Sequence, residues 1–129
     1  MAVEQKYTIL AIEDDEDIRS LLQVVFKETE FAVDFAIDGK QALDIITSSK
    51  PPDLILLDIM LPYIDGFELL KKIHSLDDWS DIPVIILTAQ DSADVIKHGF
   101  RAGVSDYIVK PFIPEELIEK IINLLEPGN

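Results

Sequence analysis

The chain has 129 residues, the size of one domain, and its apolar content of 48% excludes intrinsic disorder. Eleven basic against 25 acidic residues give a net charge of −14, which disfavours direct binding to nucleic acid or anionic membranes and favours cations. The absence of cysteine excludes disulfides and thiolate metal sites, and neither a membrane span nor a signal-peptide core is found. We therefore expect one cytoplasmic domain over residues 1–129, with its core at about 7–126.

Five short apolar runs alternate with five helical patterns along the chain. The runs predict strands at Tyr7–Ile12, Phe31–Ile37, Leu54–Leu57, Ile82–Leu87 and Tyr107–Val109. Runs that are continuously apolar are typical of parallel strands buried on both faces of a sheet.

The helical patterns lie between and after these strands. An apolar stripe from Ile18 to Val25 predicts the first helix, and a shorter stripe after Asp38 predicts the second. Asp65, followed by Glu68, resembles a capping box that opens the third helix.

The last two helices complete the alternation. The fourth helix is expected to start near Asp91 or Ser92 and to end at about Arg101. The fifth opens at Pro114, a residue suited to the first helical position, and stops at Pro127. This (βα)₅ order predicts an α/β fold, a doubly wound domain with a five-stranded parallel sheet.

Ligands of doubly wound folds bind outside the carboxyl ends of the strands, so the residues that follow each apolar run are candidate site residues. Those that follow the first, third, fourth and fifth runs are Glu13, Asp14 and Asp15, then Asp58, Thr88 and Lys110. The topology therefore brings several carboxylates, a hydroxyl and a lysine to one edge of the sheet.

These residue types fit a metal-dependent aspartyl-phosphate site. Crowded carboxylates repel each other unless a cation lies among them, and oxygen ligands with room for water suit Mg²⁺. A carboxylate beside such an ion can attack a phosphoryl group, while Lys110 neutralises its oxygens and Thr88 donates a hydrogen bond to it.

The ordered motifs of the chain resemble the receiver domain of two-component response regulators, chemotaxis-regulator-like, from about Thr8 to Leu125. They read ILAIEDD from Ile9, DLILLDIMLP from Asp53, the pair Asp65-Gly66, PVIILTA from Pro83, and DYIVKPF from Asp106. The resemblance implies a flavodoxin-like fold with strand order 2-1-3-4-5.

The resemblance also implies a role for each site residue. Asp58 is expected to be the phosphoacceptor and modified residue, and Thr88 and Lys110 to act on the phosphoryl group. The implied Mg²⁺ ligands are Glu13, Asp14, Asp58 and the backbone carbonyl of Met60. The Lys110-Pro111 bond is expected to be cis, and Tyr107 is expected to be a switch aromatic that turns inward as Thr88 moves toward the phosphate.

The partners implied are a histidine kinase or phosphotransfer protein and an unidentified output domain or target, with no output domain in this chain. The resemblance implies no enzyme activity beyond self-catalysed phosphorylation and dephosphorylation. Tyr63 stands where a glycine is usual in the family, and Met60 and Gln90 occupy positions that tune phosphate lifetime across it. The fifth helix lacks the arginines of dimerising receivers, so we expect a monomer or weak dimer.

Three other functions are weighed against this one. A flavin module needs a phosphate-cradling loop after the first strand, where this chain has the acidic residues 13–17. A hydrolytic phosphatase usually carries a second acid at the position of Met60. An interaction-only pseudo-receiver lacks part of the set Asp14, Asp58, Thr88 and Lys110.

Several polar residues also have purely structural interpretations. Asp15, Glu16 and Asp17 are expected to serve only as a helix start, where acidic residues are favoured. Trp79 is expected in a polar loop, and His74 and His98 on helix surfaces, all three without a function.

Overall fold

A computed structural model describes residues 4–62, 64–89 and 93–127 of the chain. All the paired strands run parallel, and the sheet order is β2-β1-β3-β4-β5, as the resemblance implies. The elements in chain order are β1 Tyr7–Ile12, α1 Glu16–Phe26, β2 Phe31–Ala36, α2 Gly39–Ser48, β3 Leu54–Asp58, α3 Gly66–Ser75, β4 Val84–Thr88, α4 Ala93–Arg101, β5 Asp106–Val109 and α5 Pro114–Leu125.

The sheet is the middle layer between two groups of helices. Side chains of α2, α3 and α4 pack on one face of it, and side chains of α1 and α5 pack on the other. The central strands β3 and β4 are buried along their whole length, which explains why their sequences are continuously apolar up to their last residues, Asp58 and Thr88. Among the described residues, no helix is both long enough and apolar enough to cross a bilayer.

Aspartate side chains cap the first three helices. Asp15 accepts hydrogen bonds from the N–H groups of Asp17 and Ile18, which confirms that this acidic stretch begins a helix. Asp38 caps α2 in the same way. Asp65 caps α3 through the N–H of Phe67 at 2.7 Å.

The strands differ from the predicted runs at their ends. β4 begins at Val84 rather than Ile82, because Pro83 has no N–H to donate to the ladder. It extends to Thr88, whose carbonyl accepts a bond from the Lys110 N–H at 2.8 Å. β2 ends at Ala36 because the N–H of Ile37 turns to the side chain of Gln41 instead of the sheet.

Trp79 lies in the connection between α3 and β4 but is only 3% exposed. It packs in the core on the face of the sheet that α2, α3 and α4 cover. The residues around it are polar, as expected, yet the turn directs this one side chain inward. The predicted end of the fourth helix at Arg101 is confirmed. Its predicted start at Asp91 or Ser92 lies outside the described residues, as do Tyr63 and Gln90.

Candidate functional site

Three carboxylates meet at the carboxyl edge of the sheet. Glu13 and Asp14 follow β1, and Asp58 ends β3, which is hydrogen-bonded to β1. Each offers an oxygen within 4.8 Å of the others. Glu13 is fully buried, Asp58 is buried and Asp14 is exposed, so the group forms a pocket open on one side.

Lys110 reaches the same pocket from the end of β5. Its Nζ donates to Glu13 Oε1 at 2.6 Å and to Asp58 Oδ2 at 3.2 Å. The Lys110-Pro111 peptide bond is cis, as the resemblance implies. One ammonium therefore faces three carboxylates, and the four groups carry a net charge of −2 when all are ionised.

The shifted pKa values follow from this excess of negative charge in a buried place. Burial, reinforced by the neighbouring Asp58, raises the pKa of Glu13 to about 8. Although Asp14 is exposed, partial desolvation of its carboxyl group raises its pKa as well, and Asp58 again adds to the effect. Burial acts to lower the pKa of Lys110, but Glu13 and Asp58 outweigh it and the pKa is raised. The pocket thus favours an additional positive charge.

The loop after β3 holds the second oxygen of Asp58. The Met60 N–H donates to Asp58 Oδ1 at 2.9 Å. Met60 itself is 66% exposed. Gly66 lies against this loop so closely that a Cβ would stand 2.5 Å from the Cα of Ile59. The glycine therefore lets α3 begin directly beside the Asp58 loop.

Thr88 and Tyr107 lie on the neighbouring strands. Thr88 is buried at the end of β4 and is the register partner of Val109. Tyr107 is half-buried at the outer edge of the sheet, where the Phe100 ring meets it edge-on at 6.2 Å and Lys120 Nζ lies 5.6 Å from its ring centre. The two histidines lie elsewhere, on α3 and α4, and His98 packs edge-on against Phe67.

The sequence interpretation missed two polar contacts, of which only the second lies at the site. Lys120 pairs with both oxygens of Asp106 at 3.1 Å, a contact between α5 and β5 that residue types alone do not reveal. Arg19 Nη1 donates to the backbone carbonyl of Glu13 at 3.0 Å. A signal for this second contact exists, because Arg19 follows closely on five consecutive acidic residues, 13–17.

The residues present fit Mg²⁺. The three side chains offer only oxygen atoms, which are the ligands of hard cations. The buried Oε2 atom of Glu13 has no hydrogen-bond partner in the protein, so it remains available to a cation or its water. In the part of the chain that the structure describes, this is the one group of three or more acidic or histidine side chains arranged for a metal.

The structure is thus a five-stranded doubly wound α/β domain with an acidic pocket and a lysine at the carboxyl edge of its sheet. Residues 9–122 match the sequence model of the response regulator receiver domain. The chain therefore belongs to this family and is a receiver domain of two-component signalling.

The curated relatives include the response regulator MprA of Mycolicibacterium vanbaalenii and that of Mycobacterium avium. Each is 39% identical over 117 residues, which is 91% of this chain but 49% and 50% of the respective relative. The chain thus spans about half the length of the curated relatives that it matches.

Solved receiver domains share the fold over nearly the whole chain. The receiver domain of Francisella response regulator 1452 is 35% identical, with a TM-score of 0.85 over 96% of this chain and 100% of that one. The receiver domain of the Pseudomonas aeruginosa PAO1 sensor histidine kinase PA1611 is 27% identical, with a TM-score of 0.83 over 92% of this chain and 97% of that one. That structure carries a magnesium ion coordinated in its active-site cleft.

Proposed function

We propose that this receiver domain accepts a phosphoryl group on Asp58 in a Mg²⁺-dependent reaction. The observation that carries the proposal is the position of Lys110, which contacts Asp58 and Glu13 at once inside the group of three carboxylates. An isolated aspartate at a strand end has no need of such a cation. One that receives a phosphoryl group needs positive charge close to its oxygens.

The Asp58 carboxylate is positioned for this reaction at both of its oxygens. Met60 N–H holds Oδ1 and Lys110 holds Oδ2, which fixes the plane of the group. A carboxylate oxygen attacks the phosphorus of phosphohistidine as the P–N bond breaks. The bonding electron pair leaves with the imidazole nitrogen. A donor ring that is protonated at its other nitrogen is returned as neutral histidine, and Asp58 becomes an acyl phosphate.

Glu13, Asp14, Asp58 and the carbonyl of Met60 would hold the Mg²⁺ ion, which neutralises phosphoryl oxygens when bound. Lys110 would shift from Asp58 Oδ2 to the new phosphoryl oxygens, because they carry more negative charge. Thr88 would donate a hydrogen bond to the same group. Without a bound cation, the three carboxylates of the pocket would repel the negatively charged phosphoryl group.

Phosphorylation would change a binding surface through Tyr107. This ring lies at the outer edge of the sheet on β5, three residues before Lys110, and it is partly exposed. If it turns inward after phosphorylation, the α4–β5–α5 surface changes shape and its affinity for a target changes with it.

The phosphodonor would be a histidine kinase or a phosphotransfer protein, and the response would pass to an output domain or target protein. We expect this exchange to take place in the cytoplasm. Autocatalytic phosphorylation and dephosphorylation of Asp58 would be the only reactions that the domain performs. One domain over residues 1–129, acting as a monomer or weak dimer, suffices for them.

Intact-mass measurement after incubation with Mg²⁺ and acetyl phosphate tests the proposal. The parent should gain one phosphoryl group, and the Asp58→Asn variant should gain none. Asp53→Asn is the matched control, because Asp53 precedes the same strand at its opposite end and lies exposed. Chelation of Mg²⁺ should abolish the gain in both the parent and the control.

A parent that gains no mass is then titrated with beryllofluoride in the presence of Mg²⁺. A Mg²⁺-dependent chemical-shift change at Tyr107 supports a receiver whose acyl phosphate hydrolyses quickly. No change supports the interaction-only function and overturns the proposal.

A further inference from the structure

The turn between β1 and α1 carries two of the three pocket carboxylates. Before the turn, the Glu13 N–H donates to the carbonyl of Ala36 on β2 at 3.0 Å. After it, the Asp15 side chain caps α1, and the Asp15 carbonyl accepts from the Arg19 N–H at 3.0 Å. Asp14 lies between these fixed residues, and its own side chain is exposed.

Arg19 adds a link across the turn. Its side chain runs back along α1 and donates from Nη1 to the Glu13 carbonyl at 3.0 Å. That carbonyl belongs to the peptide unit that joins Glu13 to Asp14. The half-buried guanidinium therefore holds the backbone from which the Asp14 carboxylate projects toward Asp58.

We propose that Arg19 is a positioning residue for the divalent-cation site. By fixing the peptide between Glu13 and Asp14, it keeps the two carboxylates in the arrangement that a Mg²⁺ ion requires. Mg²⁺ requires ligands in near-ideal octahedral positions. A ligand that is mobile in the free protein must be ordered on binding, and the entropy lost in that ordering weakens Mg²⁺ binding. This inference rests on the proposed function, because it concerns the same metal site.

Electrostatics alone would give Arg19 the opposite effect. A guanidinium repels a divalent cation, so an arginine whose only contribution was its charge would weaken Mg²⁺ binding. Removing such an arginine would then tighten binding, whereas removing a positioning arginine loosens it. The direction of the change in Kd therefore separates the two roles.

The experiment is isothermal titration calorimetry of MgCl₂ into the parent, Arg19→Ala, Arg19→Lys and Lys27→Ala. Lys27 is the matched control, because it is an exposed cation at the other end of α1, about 12 Å away along the helix axis. A buffer with about 0.15 M KCl limits long-range charge effects. Circular dichroism melts establish that each variant is folded.

We expect Arg19→Ala to raise the Kd for Mg²⁺ about tenfold, the low end of the range for outer-shell contacts. Arg19→Lys should fall between Arg19→Ala and the parent, because an ammonium can also donate to the Glu13 carbonyl. Lys27→Ala should bind Mg²⁺ as the parent does or slightly more tightly. If Arg19→Ala does not fold, the order of the parent and Arg19→Lys decides the question.

Phosphorylation by acetyl phosphate provides a second readout. In Arg19→Ala, the Mg²⁺ concentration for half-maximal rate should rise about tenfold while the rate at saturating Mg²⁺ stays within about twofold of the parent. A general structural defect would lower the saturating rate instead.

Two results overturn the inference. An Arg19→Ala variant that binds Mg²⁺ as tightly as the parent, or more tightly, shows that the contact does not position the site. A parent that binds no Mg²⁺ overturns the proposed function, and this inference with it. The first result leaves the proposed function intact, so the two failures are distinguishable.

Discussion

Two aspartates lie at opposite ends of strand β3, and they differ in burial and in the groups that they contact. Asp53 lies exposed just before β3, where it accepts hydrogen bonds from the N–H and hydroxyl groups of Thr8. Asp58 is buried at the carboxyl end of β3, beside two more carboxylates and Lys110.

The comparison shows that position in the fold, and not residue type, makes an aspartate chemically special. Asp53 links the start of β1 to the start of β3 through its hydrogen bonds to Thr8. This is a structural role that an exposed, hydrated carboxylate can fill. Asp58 lies at the carboxyl edge of the parallel sheet, where the loops that follow the strands diverge and leave room for a ligand. The amino end of the sheet, with Asp53 and the buried Trp79, should therefore govern stability, and the carboxyl end should govern chemistry.

The largest expected effect tests the amino end. Trp79→Ala removes a side chain that is 3% exposed and should lower the free energy of unfolding by about 3–5 kcal/mol. Urea denaturation measures the loss. The folded fraction should still take up a phosphoryl group on Asp58, and Trp79→Phe should lose less stability. Loss of phosphorylation in a folded Trp79→Phe protein would contradict the division between the two ends.

The next effect tests the carboxyl end. Lys110→Met should slow phosphorylation by acetyl phosphate about 100-fold, equivalent to about 3 kcal/mol, because the ammonium no longer neutralises the phosphoryl oxygens. Lys120→Met is the control, since Lys120 pairs with Asp106 rather than with Asp58. Time-resolved intact mass gives both rates. Equal rates in the two variants would show that Lys110 has no special part in the reaction.

The third prediction concerns the pH dependence of stability without metal. The pKa of Glu13 is about 8 in the folded protein, above its ordinary value of 4.5, so the folded state holds this proton more tightly than the unfolded state. Stability in EDTA should therefore fall as the pH rises from about 5 to about 8, while unfolded Glu13 ionises and folded Glu13 does not.

Thermal melts of the parent and Glu13→Gln measure this dependence. The parent should lose more Tm than the variant over that pH interval, and Mg²⁺ should restore more Tm to the parent, because it stabilises the ionised carboxylates. Parallel curves for the two proteins would show that Glu13 is not the group responsible.

Most of the fold could be predicted from sequence because its signals are local. The continuously apolar runs at β3 and β4 predicted central parallel strands, and Asp15 and Pro114 marked helix starts that the structure confirms. The predicted strand ends were less accurate where a single residue interrupts the pattern. For example, β4 begins after Pro83, which has no N–H to donate to the sheet. Trp79 was missed because its neighbours in sequence are polar while its neighbours in space are apolar.

The sequence by itself determined the order of the elements and the residue types at the carboxyl ends of the strands, because apolar periodicity and capping act over a few neighbouring residues. Only the tertiary structure decided which of those residues meet. Lys110 lies 97 positions from Glu13 and 52 from Asp58. The strand order places all three at one edge of the sheet, where the long Lys110 side chain reaches both carboxylates. The raised pKa of Glu13 and the contact of Arg19 with its carbonyl likewise arise from burial and packing, which exist only once the chain has folded.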